Sequence, residues 1–184
     1  MYRKIKFRYF LLLVPLLVMP VGTSASADIS AETIKATYIV QIQKFISFGE
    51  PPRSVKKICY YEEDKVPFSE SVGQQVEKYA STHPEANFPV VKRLDAIRDM
   101  GSCDILFIPA SAEGDVDNII TALGNADTLT ISGAPRFTMR GGVMGFVLDE
   151  SSRIKMEVNM KNAKARNIHI DSQLLELMQR SANP

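Results

Sequence analysis

The stretch Thr128–Asn159, TLTISGAPRFTMRGGVMGFVLDESSRIKMEVN, decides how this chain folds. It reads as a strand, a short helix or loop, a Gly-Gly turn, a strand, a four-residue turn and a last strand. Val143 to Leu148 is almost wholly apolar, the pattern of a strand buried on both faces. After the turn Asp149-Glu150-Ser151-Ser152 the pattern changes to alternation. Ile154, Met156 and Val158 fall on one face, and Arg153, Lys155 and Glu157 on the other. A central strand followed by a half-solvated one makes an antiparallel hairpin. No catalytic constellation falls within it.

Upstream, strands are expected at Val55–Tyr61, Phe88–Leu94, Asp104–Pro109 and Thr128–Ile131. Pro89 cannot donate to a ladder, which sends its strand to an edge. Helices are expected between them, at Phe68–Tyr79, broken by Ser81-Thr82-His83-Pro84, at Asp95–Met100, stopped by Gly101, and at Asp115–Leu123. Strands separated by helices argue parallel βαβ units with right-handed crossovers. The expected fold is an α/β three-layer sandwich: a mixed, mostly parallel sheet of about six strands with a C-terminal antiparallel hairpin.

Two more helices flank this body. Ser30–Phe48 opens with Ser30 as N-cap and places Ile34, Tyr38, Ile42, Phe45 and Ile46 at helical spacing, a stripe expected to pack on the sheet, with a partner-binding helix as the alternative. Gly49-Glu50-Pro51-Pro52 ends it. After the hairpin, Asn159 can cap a helix Met160–Arg166. Ile168–Ile170 reads as an extended link, and Asp171 or Ser172 caps a last helix carrying Leu174, Leu175, Leu177 and Met178.

The N-terminus carries an address. Arg3, Lys4, Lys6 and Arg8 precede an apolar run from Phe10 to Val21, and Ala25-Ser26-Ala27 is a small-x-small cleavage site. Residues 1–27 therefore read as a secretory signal peptide cut between Ala27 and Asp28, with residues 28–184 as a single domain. The apolar run is short of the roughly 20 residues a spanning helix needs. The expected location is the periplasm, with nothing embedded in the membrane after cleavage. The mature chain keeps 18 basic against 21 acidic residues, net −3. That balance gives no electrostatic reason to bind nucleic acid.

Cys59 and Cys103 are the two cysteines. In an exported protein an even count suggests one disulfide, here closing a loop worth roughly 4 kcal/mol in the chain-entropy model. Two buried thiols that never meet are the competing reading. His83 and His169 stand far apart, outside any H-x-x-x-H pattern, so a zinc site is weak. The Glu62-Glu63-Asp64 turn reads as solvated carboxylates rather than a metal site. Gly141-Gly142 with Gly145 precedes a strand, so it is neither a P-loop nor a dinucleotide fingerprint. No G-x-S-x-G elbow follows Ser132-Gly133. The chain is read as a non-enzyme without a cofactor. A ligand crevice, if the chain has one, is expected at the carboxyl ends of the parallel strands, at Ser111, Ser132 and Gly133.

Several short motifs follow one another in order: Ile58-Cys59-Tyr60, Cys103-Asp104-Ile105-Leu106-Phe107-Ile108, Gly133-Ala134-Pro135-Arg136-Phe137, Arg140-Gly141-Gly142-Val143-Met144-Gly145, Met156-Glu157-Val158-Asn159, and Ile168-His169-Ile170-Asp171-Ser172-Gln173-Leu174-Leu175. In order and spacing the mature chain resembles the YfiR-like family of periplasmic proteins. It departs from it at Phe48-Gly49-Glu50-Pro51, where the family often has Trp-Pro, and in lacking the second Cys pair that some members carry near the hairpin. The resemblance implies a non-enzymatic regulator. Such a protein binds the periplasmic sensor part of an inner-membrane diguanylate cyclase and represses it, lowering cyclic di-GMP signalling and biofilm formation. By resemblance alone it also implies a homodimer. The alternative is a periplasmic small-molecule-binding module for sensing or transport.

Overall fold

The computed structural model describes residues 30–61, 72–84 and 88–180. The signal segment with its Ala27–Asp28 cleavage site, the acidic turn Glu62–Asp64 and the start expected for the second helix lie outside these residues.

Five strands build the expected parallel core and its hairpin: β3 (Lys57–Tyr61), β5 (Ile105–Ile108), β6 (Leu129–Ser132), β7 (Met144–Leu148) and β8 (Ile154–Val158). With β4 (Val90–Leu94) they form one sheet of order β4-β3-β5-β6-β7-β8. Every pairing is parallel except the β7–β8 hairpin, in which Gly145 faces Glu157 and Phe146 faces Met156. Pro89 sits just before edge strand β4, where its missing N–H costs no ladder bond.

Strand alternation sorts the core into two layers. Ile58, Tyr60, Ile105, Phe107, Met144 and Phe146 face one side. There they meet α1 (Ala31–Ile42), α2 (Val72–Thr82) and α5 (Ser172–Arg180) through Ile39, Val76 and Leu174. Cys59, Tyr61, Leu106 and Ile108 face the other side and meet α3 (Val116–Leu123) through Val116, Ile119 and Leu123. Both faces of the central strands are thus covered, which is why they read as unbroken apolar runs.

The structure corrects several local expectations. The first helix stops at Ile42, tightens into a 3-10 turn over Gln43–Phe45, and gives way to β1 (Ile46–Phe48). β1 pairs antiparallel with β2 (Arg53–Ser54) on one side and with β9 (Ile168–Ile170) on the other. Ile46 and Phe48 are buried in this second, three-stranded sheet, and long-range pairing overrides the helical spacing of the stripe. The segment Ile168–Ile170 is therefore a strand, not a link. α2 runs through Ser81 and Thr82, because both hydroxyls donate back to the Lys78 carbonyl (2.8 and 2.9 Å) and prolong the helix to the residues before Pro84. Gly101 lies inside a 3-10 helix, Ile97–Ser102, rather than ending a helix. Val147 and Leu148 are 38% and 69% exposed, so β7 is buried on both faces only in its first half. Of β7, only Met144 and Gly145 pair with β6, and the rest of the hairpin projects past the sheet's carboxyl edge.

Caps follow the sequence. Ser30 Oγ accepts from the Thr33 N–H, and Asn159 Oδ1 accepts from the Asn162 N–H to start α4 (Met160–Ala165). Asp171, rather than Ser172, caps α5, accepting from the Gln173 N–H at 2.8 Å.

Candidate functional site

The carboxyl edge of the sheet is built around the turn after β6. Ser132 is fully buried, and its hydroxyl accepts the Ala134 N–H at 2.9 Å. Ser111 is exposed on the 3-10 helix that follows β5. A Cβ on Gly133 would stand 3.8 Å from Ala110 Cβ and 3.9 Å from Lys35 Nζ. The three expected crevice residues thus lie at this edge, with the Ser132 hydroxyl committed to shaping the turn. The cavities described below lie elsewhere.

Past Pro135 the chain enters a 3-10 helix, Phe137–Arg140, and then Gly141-Gly142. Phe137 is fully buried, and its ring occupies the space a Gly142 Cβ would need. Gly141 has φ +96, the left-handed cap conformation, and a Cβ there would stand 2.8 Å from Ile120. Arg140 reaches back to α3, where its Nε donates to Asp117 Oδ1 at 2.9 Å. It also donates to the Glu113 carbonyl at 3.2 Å. The Arg140 hydrogen bond lowers the Asp117 pKa, and Asp117 raises that of Arg140. On the other side, Thr138 Oγ1 donates to Glu157 Oε1 at 2.6 Å. Asn162 donates to the Thr138 and Gly142 carbonyls. The Arg-Gly-Gly segment is therefore a structural clamp joining α3, the hairpin and α4.

Cys59 and Cys103 form a disulfide with Cα atoms 5.9 Å apart. Both are buried on the α3 side of the sheet, where the bond ties β3 to the start of β5. His83 stacks on Tyr79 at the end of α2, with ring centroids 4.1 Å apart. His169 projects from β9, its Nε2 4.0 Å from Glu50. Among the described residues no group of three or more His, Cys, Asp or Glu is placed to hold a metal. No described helix is long and apolar enough to cross a membrane.

Sequence reasoning missed an apolar groove of about 570 Å³ between α1, α5 and β8. Ile34, Tyr38 and Phe45 form one wall, Met156 lies on β8 and Leu174 with Leu177 forms the other wall. α1 buries Ala36, Ile39 and Val40 in the core on its other side, and Ile42 is buried at the floor of the groove. Apolar residues on both sides of the helix were the available signal, since one packing face needs only one stripe. A second cavity, of about 740 Å³, lies beside the small sheet and is lined by Glu50, Lys164, Asn167 and His169 among others.

A model of YfiR/HmsC-like proteins matches residues 32–179. No curated protein matches the chain. Among solved structures, a conserved domain protein from Vibrio cholerae O1 biovar El Tor aligns with TM-score 0.60 at 13% identity, over 81% of this chain and 59% of that one. The ABC domain in complex with L-Trp from Streptococcus pneumonia aligns with TM-score 0.57 at 15% identity, over 77% and 58%. The chain thus covers under two thirds of either neighbour. At these identities the likeness is one of fold.

Proposed function

The chain belongs to the YfiR/HmsC-like family, and on that premise we propose that it represses an inner-membrane diguanylate cyclase by binding the cyclase's periplasmic sensor part. Membership supports a periplasmic regulatory protein in the broad sense. The narrower role is the reading that the family match over residues 32–179 favours most, and that match is the observation that carries it.

The hairpin supplies a physical means. Its tip stands clear of the sheet and exposes Val147 and Leu148, large apolar side chains that cost free energy in water until a partner covers them. A repressor of this kind works by population shift, binding the off state of the sensor more tightly than the on state. A thousandfold preference corresponds to about 4 kcal/mol, within reach of a few buried anchors. Chemistry is not required of such a protein, and among the described residues the geometry nominates no nucleophile–base pair.

Affinity capture from intact envelope tests the reading. Wild-type protein retains a diguanylate cyclase, and a Leu148→Asp variant of equal stability does not. Retention of the cyclase by neither protein, under conditions where both are folded, contradicts the proposal.

A further inference from the structure

We propose that the groove between α1 and α5 is a binding site for an uncharged small molecule with an apolar body and one hydrogen-bonding end. This goes beyond the repressor reading and does not depend on it. The volume, about 570 Å³, falls in the range of small-molecule sites. The lining fixes the chemistry. Ile34, Tyr38, Phe45, Met156, Leu174 and Leu177 give an apolar body its contacts, and no charged residue among the described ones lines the groove. A charged ligand would lose its hydration there without finding a counter-ion.

Two uncharged polar groups are uncommitted. The Gln41 amide and the Tyr38 hydroxyl both belong to the groove, and neither has a hydrogen-bond partner among the described residues. Thr37, on the same wall, donates to the Thr33 carbonyl at 2.8 Å and keeps its lone pairs for a donor. Met156 and the half-exposed Leu177 let the walls adapt to shape.

The probe is N-phenyl-1-naphthylamine, a neutral apolar fluorophore, titrated into the purified chain. The expected result is blue-shifted emission that saturates at one probe per chain. Thr37→Trp, which fills the groove from its exposed rim, weakens binding by about tenfold or more. It leaves the melting temperature near that of the wild type. Val90→Trp, on the exposed edge strand β4, binds as the wild type does. The anionic analogue 1-anilinonaphthalene-8-sulfonate binds more weakly than the neutral probe. Non-saturable binding, equal binding by the two Trp variants, or preference for the anionic probe would each overturn the proposal. A wild-type dimer that binds no probe and is split by Thr37→Trp would overturn it in favour of a second copy as the occupant.

Discussion

Phe137 and Gly142 are joined twice. The Gly142 N–H donates to the Phe137 carbonyl at 3.1 Å, and the Phe137 ring fills the space where a Gly142 side chain would stand. The turn between β6 and β7 closes around this pair, which explains why a buried Phe precedes a Gly-Gly at this spacing. Gly142→Ala is expected to destabilise the fold by about 1–3 kcal/mol through overpacking, and Phe137→Ala by about 3–5 kcal/mol through the cavity it leaves. Urea denaturation followed by circular dichroism measures both. A neutral Gly142→Ala would show that the ring has room to move aside.

The disulfide spans 44 residues of sequence and lies wholly within the α3-side core. In the chain-entropy model a loop of this length contributes roughly 4 kcal/mol by constraining the unfolded chain. The double variant Cys59→Ala/Cys103→Ala should therefore unfold at clearly lower urea than the oxidised wild type. Reduced wild type should approach the double variant. Equal midpoints for oxidised and reduced protein would refute the contribution.

The Asp149 carboxylate organises the hairpin turn. It accepts from the Ser151 and Arg153 backbone N–H groups and pairs with Arg153 Nε and Lys155 Nζ. The Arg153 backbone hydrogen bond, then bonds from Lys155, Arg153 and Ser151, hold its pKa down at about 2 against desolvation. A folded-state pKa below the unfolded value means that the turn's contribution is fully present above about pH 4. It is lost as pH falls through about 2. NMR titration should place the Asp149 carboxyl near that value, and Asp149→Asn should remove the dependence. A midpoint near 4 would contradict the turn geometry.

Asn162 holds the clamp from the α4 side, donating to the Gly142 carbonyl at 2.7 Å and to the Thr138 carbonyl at 3.2 Å. Asn162→Ala takes the side-chain donor from the part-buried Gly142 carbonyl, while the Thr138 carbonyl keeps the Asn159 amide at 3.0 Å, and a loss of about 1–3 kcal/mol is expected. Hydrogen exchange should show the loss concentrated in residues 137–142 rather than in β3 or β5. Uniform loosening would argue against a local clamp.

Much of the fold was legible because the central strands are covered on both faces. Ile105–Ile108 and Leu129–Ser132 are apolar or small throughout, the pattern of a strand buried on both faces. The hairpin announced itself through the switch to alternation after Asp149. The small sheet was hidden because Ile46–Phe48 continues the helical spacing of the preceding stripe, and its partner Ile168–Ile170 lies more than a hundred residues away. Three-residue strands carry too little pattern to outweigh a local periodicity. The groove was hidden for a related reason: Ile34, Tyr38 and Phe45 look the same in sequence whether they pack on a sheet or line a cleft. The exposure of Leu148 depends on where β6 stops, which is a property of a neighbouring strand.

The central claim is repression by binding, and the cellular cyclic di-GMP level tests it most directly. Three strains are compared: one lacking the gene, one complemented with the wild type and one complemented with Leu148→Asp. The account predicts high cyclic di-GMP and increased attachment in the first and third, and low levels in the second. Unchanged cyclic di-GMP and attachment on deletion would contradict it.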